Sequence, residues 1–277
     1  VRTIGDRFYV MELGGLVEYF QDVWPETDSL LHALESAEPG RLLDLGTGTG
    51  IIAIEAARRG HEVLATDLYS TALALAQFNA RLNAVERSIE FRVGHQFEPV
   101  RGELFDLILT APHYTRVADQ LRLEVLRAGP SHLAPGGRLV VATMLEWQSG
   151  PPPIIEEILR PQVSSGFGVQ VEPLKAPYKR EWFTVRQLSP ELLASSSGAP
   201  LVSRHRFVVT VTAPLVRSAT KGTLSVRPPA LHEQMLQPYV SLARLRHSAR
   251  PRPEGPSVMP MAAVAGSVRE YATLNAL

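Results

Sequence analysis

The sequence predicts an α/β fold in which a mostly parallel sheet is covered by helices. Three observations lead to this fold class. Short apolar runs alternate with helical patterns over residues 41–94, as expected for successive βαβ units. The later run FDLILTAP is almost entirely apolar, which is typical of a strand buried on both faces. A further strong strand pattern, RHRFVVTVTA, begins at Arg204.

The segment before this alternation predicts a small hairpin and a helix. Two β-rich runs in residues 7–20 flank Gly14 and Gly15, and a Gly-Gly pair suits a tight hairpin turn. Thr27 or Asp28 can then cap the helix that follows.

The pattern divides the chain into three parts. Residues 1–38 form the hairpin and helix, which we expect to cover the substrate. Residues 39–213 form the main domain, with an insertion at about residues 172–203 that can act as a lid. Residues 214–277 form a C-terminal extension, which we expect to be partly mobile because it contains the stretch RPRPEGP.

Composition excludes several classes of function. Lys+Arg and Asp+Glu are both 28, and this balance makes nucleic acid an unlikely partner. The chain has no cysteine and its histidines are scattered, so we expect no disulfide and no metal site. No apolar run approaches the roughly 18–20 residues that span a bilayer, so we expect no membrane partner and a cytoplasmic location. The oligomeric state stays open.

The run LLDLGTGTG predicts a ligand-binding turn. Asp44 ends a buried strand, and Gly46, Gly48 and Gly50 lead into the next helix. Glycines let the backbone approach a ligand closely and adopt angles that side chains forbid. The dinucleotide spacing G-x-G-x-x-G would place its third glycine at Ile51, which disfavours a nicotinamide cofactor.

Two acidic residues indicate which ligand the turn holds. Asp67 closes the second strand, where a carboxylate can accept hydrogen bonds from both ribose hydroxyls. Asp44 would repel a pyrophosphate but attract a ligand that carries an ammonium and a sulfonium. S-adenosyl-L-methionine is such a ligand.

From about Trp24 to Thr143 the chain resembles class I methyltransferases, and more narrowly the release-factor glutamine methyltransferase family of the small-domain type. The matching segments are WPET, DLGTGTG, ATDLYSTAL with Asn79 and Asn83, GHQFEPV and DLILTAPHY. The resemblance implies a Rossmann-like fold with a mostly parallel seven-stranded sheet and helices on both faces.

The resemblance also implies a set of cofactor-binding residues. Asp44 and the loop glycines bind the methionine part of the cofactor, and Asp67 binds the ribose. His95 and Gln96, in the loop after the third strand, bind the adenine. These residues are Asp44, Gly46, Thr47, Gly48, Gly50, Asp67, Leu68, His95 and Gln96. The family usually carries an Asp where this chain has His95, so the Gln96 amide is the alternative adenine partner.

The motif after the fourth strand bears on the methyl acceptor. Family members that methylate amides or exocyclic amines carry N-P-P-Y, whose Asn oxygen helps to orient the target NH2. The matching residues here are Ala111, Pro112, His113 and Tyr114, and alanine offers no such oxygen. We therefore expect an acceptor other than a glutamine amide or adenine N6. His113 is the candidate general base, and Tyr114 is the candidate stacking platform.

These residues lead to a functional prediction. We expect transfer of a methyl group to nitrogen or oxygen of a small molecule, which is bound by Trp24 and the Ala111–Tyr114 motif. One alternative is an RNA or protein methyltransferase that docks through the Arg-rich segment at residues 204–250. Another is a regulatory protein that binds S-adenosylmethionine without turnover.

Overall fold

The computed structural model describes residues 2–4, 7–10, 25–112, 116–146, 152–174, 204–216 and 221–228. The chain divides into two compact units, residues 1–238 and 239–277, and every described residue belongs to the first. Among the described residues, no helix is both long and apolar enough to cross a membrane.

The chain begins with a short hairpin. Strands β1 (Arg2–Ile4) and β2 (Arg7–Tyr9) pair in antiparallel register, with Thr3 opposite Phe8. The predicted hairpin turn at Gly14 and Gly15 lies outside the described residues. The pairing of β2 with β1 was not predicted, because three-residue strands are too short to show an alternating pattern.

The core of the fold is one sheet, to which the described residues contribute eight strands. Their spatial order is β10-β8-β9-β7-β6-β3-β4-β5. Only β9 runs antiparallel to its neighbours, so the predicted mostly parallel sheet is confirmed. The strands are β3 (Arg41–Leu45), β4 (Glu62–Asp67), β5 (Ile89–Val93), β6 (Phe105–Thr110), β7 (Leu133–Glu146), β8 (Gly168–Pro173), β9 (Arg204–Thr212) and β10 (Leu224–Val226).

The eighth strand extends the sheet beyond the seven that were predicted. β10 pairs in parallel with β8, with Leu224 opposite Val169. It lies in the segment that the sequence pattern assigned to a C-terminal extension. Three residues with mixed polarity give no strand signal of their own, so the pairing was not visible in the sequence.

Helices cover both faces of the sheet, as predicted. The elements are α1 (Pro25–Glu35), α2 (Ile51–Arg58), α3 (Ser70–Leu82), α4 (Arg116–Ala128), and a π-helical turn (Ile155–Leu159) that continues into α5 (Arg160–Ser164). Helix α1 begins two residues before Thr27 and three before Asp28, the two predicted caps, because proline is well suited to the first helical turn.

Alternating side chains along the strands divide the core into two layers. Leu42 of β3 packs in the layer that contains Leu34 of α1 and Ile54 of α2. Leu43 packs on the opposite face with Leu126 of α4. This period of two explains why the central strands are apolar along their whole length.

The strand order reverses beside β3. The chain runs from β3 through β4 to β5, and then returns to β6 on the other side of β3. Asp44 of β3 is level with Ala65 of β4 and with Leu109 of β6. In open α/β sheets, ligands bind at the carboxyl ends of the strands where such a reversal occurs.

Candidate active site

The glycine loop folds over the end of β4. The Gly46 and Thr47 N–H groups both donate to the Thr66 carbonyl, at 2.9 and 2.8 Å. Gly46, Gly48 and Gly50 have φ values of +78°, +55° and +84°, in the left-handed region that glycine adopts without a Cβ penalty. The loop therefore depends on glycine for its shape.

Two of these glycines also differ in what surrounds them. A Cβ added at Gly50 would lie 3.0 Å from the Ala76 Cβ, so α3 packs directly against the start of α2. A Cβ added at Gly46 would meet no atom of the described residues within 4 Å. The loop thus packs on protein at Gly50 and borders open space at Gly46.

Asp44 is buried beneath the loop and holds it together. Its Oδ2 accepts hydrogen bonds from the Thr47 hydroxyl at 2.6 Å and from the Ala53 N–H at 3.0 Å. Burial raises the pKa of Asp44 from 3.8 to about 7, with a smaller contribution from Asp67, while these two hydrogen bonds oppose the rise. Asp44 is therefore poised to change its charge near neutral pH, a property that the sequence pattern does not reveal.

Asp67 connects the glycine loop to the end of β4. Its Oδ2 accepts the Gly48 N–H at 2.9 Å, and its Oδ1 accepts the Tyr69 N–H at 3.0 Å. The next residues, Leu68 and Tyr69, are 37% and 47% exposed and form an apolar surface beside this carboxylate. The structure thus brings the predicted residues of β3 and β4 together.

The loop after β5 joins the same edge of the sheet. The Gly94 N–H donates to the Asp67 carbonyl at 3.0 Å, which places His95 and Gln96 in the loop that follows β5. Gln96 has a φ of +46°, which is uncommon for a residue with a side chain. Its Nε2 donates to Glu124 of α4 at 2.6 Å, so this amide nitrogen is engaged with α4.

The start of the acceptor motif lies beside β3. The buried Thr110 donates its hydroxyl hydrogen to the Leu45 carbonyl at 2.8 Å. This bond fixes the position at which β6 ends and Ala111 and Pro112 begin. Ala111 is exposed, as expected for a residue at a site edge. The predicted residues Trp24, His113 and Tyr114 lie outside the described residues.

One group of contacts joins the N-terminal hairpin to the site. The Asn79 side chain of α3 bonds to both backbone groups of Val10 and to the Thr49 carbonyl of the glycine loop. The buried Tyr9 hydroxyl donates to Glu55 of α2 at 2.6 Å. The motif comparison included Asn79, but the sequence assigned it no role. A polar residue among apolar positions of α3 is the only local signal.

The fold and the site define a class. The chain has a reversing parallel sheet, a glycine loop after its first central strand, and an acid at the end of the next strand, as in class I methyltransferases. The profile of the family described as Methyltransferase small domain matches residues 21–160, half of the chain. The chain belongs to this family, and the predicted class is confirmed.

Curated relatives support the same assignment. A release factor glutamine methyltransferase from Xylella fastidiosa is 38% identical over 145 residues, which are 42% of this chain and 52% of that protein. A ribosomal protein L11 methyltransferase from Bradyrhizobium diazoefficiens is 36% identical over 129 residues, which are 43% of this chain and 40% of that protein. The chain therefore spans about half the length of the curated relatives it matches.

A solved structure agrees in fold. The crystal structure of P. horikoshii TYW2 in complex with MeSAdo superimposes with a TM-score of 0.53 at 15% identity. The match covers 77% of this chain and 70% of that protein. At this identity the similarity shows a shared architecture, which agrees with the predicted Rossmann-like sheet.

The expected small-molecule acceptor is wrong. The curated relatives are named for a release factor and for ribosomal protein L11, which are proteins. The expectation depended on the missing Asn oxygen at Ala111. One absent side-chain acceptor restricts which nitrogen can be oriented at that position, but it does not limit the size of the molecule that carries the nitrogen.

Proposed function

We propose that this chain binds S-adenosylmethionine at the glycine loop and transfers its methyl group to an amino nitrogen of a protein. One observation carries the cofactor part: Asp67 on β4 accepts the Gly48 N–H at 2.9 Å, so the acid and the loop form one unit. The protein acceptor is supported by the relatives named for release-factor and L11 methylation.

The residues around the loop fit this cofactor. Among the described residues the space beside Gly46 is open, which allows a ligand to approach the end of β3. A carboxylate oxygen has two lone pairs, so Asp67 can accept ribose hydroxyls in addition to its backbone donors. The exposed Leu68 and Tyr69 side chains supply an apolar surface for the adenine. His95 lies in the adjoining loop and stays a predicted adenine contact.

Asp44 contributes charge as well as structure. S-adenosylmethionine, when bound, supplies a methyl group on a positively charged sulfur. A cation close to Asp44 favours its ionised form, and so opposes burial, which is the main cause that raises the pKa of this carboxyl to about 7. Cofactor binding and the ionisation of Asp44 are therefore coupled, and binding strengthens as Asp44 loses its proton.

The acceptor motif favours an amine over an amide. An amide NH2 is planar and requires acceptors for both hydrogens before its nitrogen is oriented. In residues 110–112 the only side-chain oxygen belongs to Thr110, which is buried and points to the Leu45 carbonyl of β3. An amine needs only the removal of one proton and a directed lone pair. His113 is the predicted group that removes this proton.

The test is methyl transfer into protein. Purified chain is incubated with methyl-tritiated S-adenosylmethionine and total bacterial cell extract, and the labelled product is treated with protease or with RNase. We expect protease-sensitive label that remains on an amino acid after acid hydrolysis, because a methylated amine survives acid. A methylated amide would instead release methylamine.

Matched variants connect this activity to the site. Asp67→Ala removes the acid at the loop and should abolish transfer. Asp106→Ala is the control, because Asp106 is an exposed aspartate near the amino end of β6 that also accepts one backbone N–H, from Arg41. RNase-sensitive label would reject a protein acceptor, and release of methylamine would reject the amine. Cofactor binding without transfer to any acceptor would indicate a non-catalytic binding protein.

A further inference from the structure

Asn79 occupies a buried junction between three parts of the fold. It lies on α3, and its side chain is completely inaccessible to solvent. Its Nδ2 donates to the Val10 carbonyl at 2.9 Å and to the Thr49 carbonyl at 2.8 Å. Its Oδ1 accepts the Val10 N–H at 2.8 Å. One amide therefore connects α3, the N-terminal hairpin and the glycine loop.

The pairing with Val10 resembles a step of a β-ladder. A side-chain amide has the same donor and acceptor as a peptide group, so it can satisfy both backbone groups of one residue. Val10 follows β2 directly, and Tyr9 anchors the same strand through its hydroxyl bond to Glu55. The C-terminal end of the hairpin is thus held by hydrogen bonds to particular side chains, in addition to apolar packing.

The bond to Thr49 acts on the loop itself. Thr49 lies between Gly48 and Gly50, where the backbone enters the left-handed region twice. Glycine imposes little restraint of its own, because it populates positive and negative φ almost equally. The conformation of this segment must therefore be fixed by its hydrogen bonds, of which Asp67 supplies one on the Gly48 N–H and Asn79 supplies another on the Thr49 carbonyl.

We propose that Asn79 is a positioning residue, which holds the glycine loop in its cofactor-binding conformation and couples that conformation to the docking of the N-terminal hairpin. The inference depends on the proposed function, because it assigns Asn79 a role toward the cofactor that the loop receives. Asn79 itself acts through the loop, so it is not a catalytic residue.

The expected consequence is specific to binding. Without Asn79 the Thr49 carbonyl loses its buried partner, and the loop populates other conformations. The apparent Kd then increases by the inverse of the fraction of molecules in the competent conformation. If the competent fraction falls to about one tenth, the Kd rises about tenfold, which corresponds to about 1.4 kcal/mol. Once the cofactor is bound the loop is in place again, so kcat should change little.

The experiment measures binding and turnover in the full chain. The Kd for S-adenosylmethionine is determined by calorimetry. The KM for S-adenosylmethionine and the kcat are determined from methyl transfer into protein of the cell extract. We expect Asn79→Ala to raise the Kd and the KM about tenfold with kcat within about twofold. Hydrogen exchange should increase in residues 46–50 and at Val10 together.

Two control variants separate positioning from general destabilisation. Asn83→Ala removes the asparagine that follows α3, whose side chain donates to the Asn79 backbone carbonyl at 2.8 Å. Leu34→Ala opens a cavity in the core layer that also contains Tyr9 of the hairpin. It should lower the melting temperature without removing a hydrogen bond to the loop. Both controls should keep the wild-type Kd.

The outcomes distinguish this inference from the proposed function. If the wild-type chain does not bind S-adenosylmethionine, the proposed function fails and this inference fails with it. If the wild type binds and Asn79→Ala binds equally well, or if Leu34→Ala weakens binding as much, only the role of Asn79 is rejected. If Asn79→Ala does not fold, hydrogen exchange of the wild type decides: S-adenosylhomocysteine should protect the Val10 and Gly48 amides together, and protection of Gly48 alone would overturn the coupling.

Discussion

Asp44→Asn tests the charge that is buried beneath the glycine loop. In the native protein, burial raises the pKa of Asp44 from 3.8 to about 7. This difference between the folded and unfolded pKa corresponds to about 4 kcal/mol, an upper estimate of the cost of ionising Asp44 inside the fold. Asparagine has nearly the same shape and retains an oxygen for the Thr47 and Ala53 donors, so it removes the charge and keeps the hydrogen bonds.

The sign of the effect follows from proton linkage. Between about pH 4 and pH 7 the folded state of the wild type binds more protons at Asp44 than the unfolded state does. The contribution of Asp44 to stability is therefore fully present below pH 4 and is lost as the pH rises through 7. The quantity to compare is the free energy of unfolding of Asp44→Asn minus that of the wild type. This difference should be about 2–4 kcal/mol larger at pH 8 than at pH 4.5.

Urea unfolding of the two proteins, without cofactor, at a series of pH values measures this difference. Asp106→Asn serves as the control, because Asp106 is exposed near the amino end of β6, whereas the glycine loop lies at the carboxyl ends of the strands. A difference between Asp44→Asn and the wild type that does not change with pH would refute the reasoning. It would mean that Asp44 is already ionised in the folded state and that water or a neighbouring group compensates for its burial.

Three further results are expected from the same site. The affinity of the wild type for S-adenosylmethionine should rise several-fold from pH 6 to pH 8 and that of Asp44→Asn should not, as measured by calorimetry; equal pH profiles would reject the coupling. Gly50→Ala should lower the free energy of unfolding by about 2 kcal/mol in urea, because of its positive φ and the 3.0 Å approach to Ala76, and a neutral effect would show that the loop can rearrange. Gln96→Gly removes the left-handed strain and the bond to Glu124, whereas Glu124→Ala removes the bond and keeps the strain. The melting temperature should therefore change less in Gln96→Gly than in Glu124→Ala. The reverse order would contradict this account.

Most of the fold could be predicted because its signals are local and repeated. The strands from Arg41 to Thr110 are short apolar runs separated by helical patterns, and the right-handed βαβ crossover then limits their arrangement. β10 could not be predicted, because its pairing with β8 depends on contacts far away in the sequence. The pairing of β1 with β2 could not be predicted either, since each of these strands is only three residues long.

The grouping of the candidate cofactor residues could be predicted for a similar reason. Asp44, the loop glycines and Asp67 occupy the ends of adjacent parallel strands, so chain order alone places them at one edge. The acceptor could not be predicted in the same way. The inference from Ala111 identified a missing oxygen correctly but extended it to the size of the substrate, which depends on surfaces that no single motif encodes.

The polar residues beneath the loop show a further limit of sequence patterns. Asp44 was expected to face the ligand through its charge, yet the structure shows that it first serves the loop, through Thr47 and Ala53. In the sequence, Asn79 stood out only as part of a segment that resembles the methyltransferase family. In the structure it connects the loop to the hairpin. In both cases a buried polar side chain bonds to a threonine of the glycine loop and to a second element of the fold. A loop that must contain several glycines to admit a ligand closely loses intrinsic rigidity, and buried polar side chains around it are the means by which the fold can restore that rigidity.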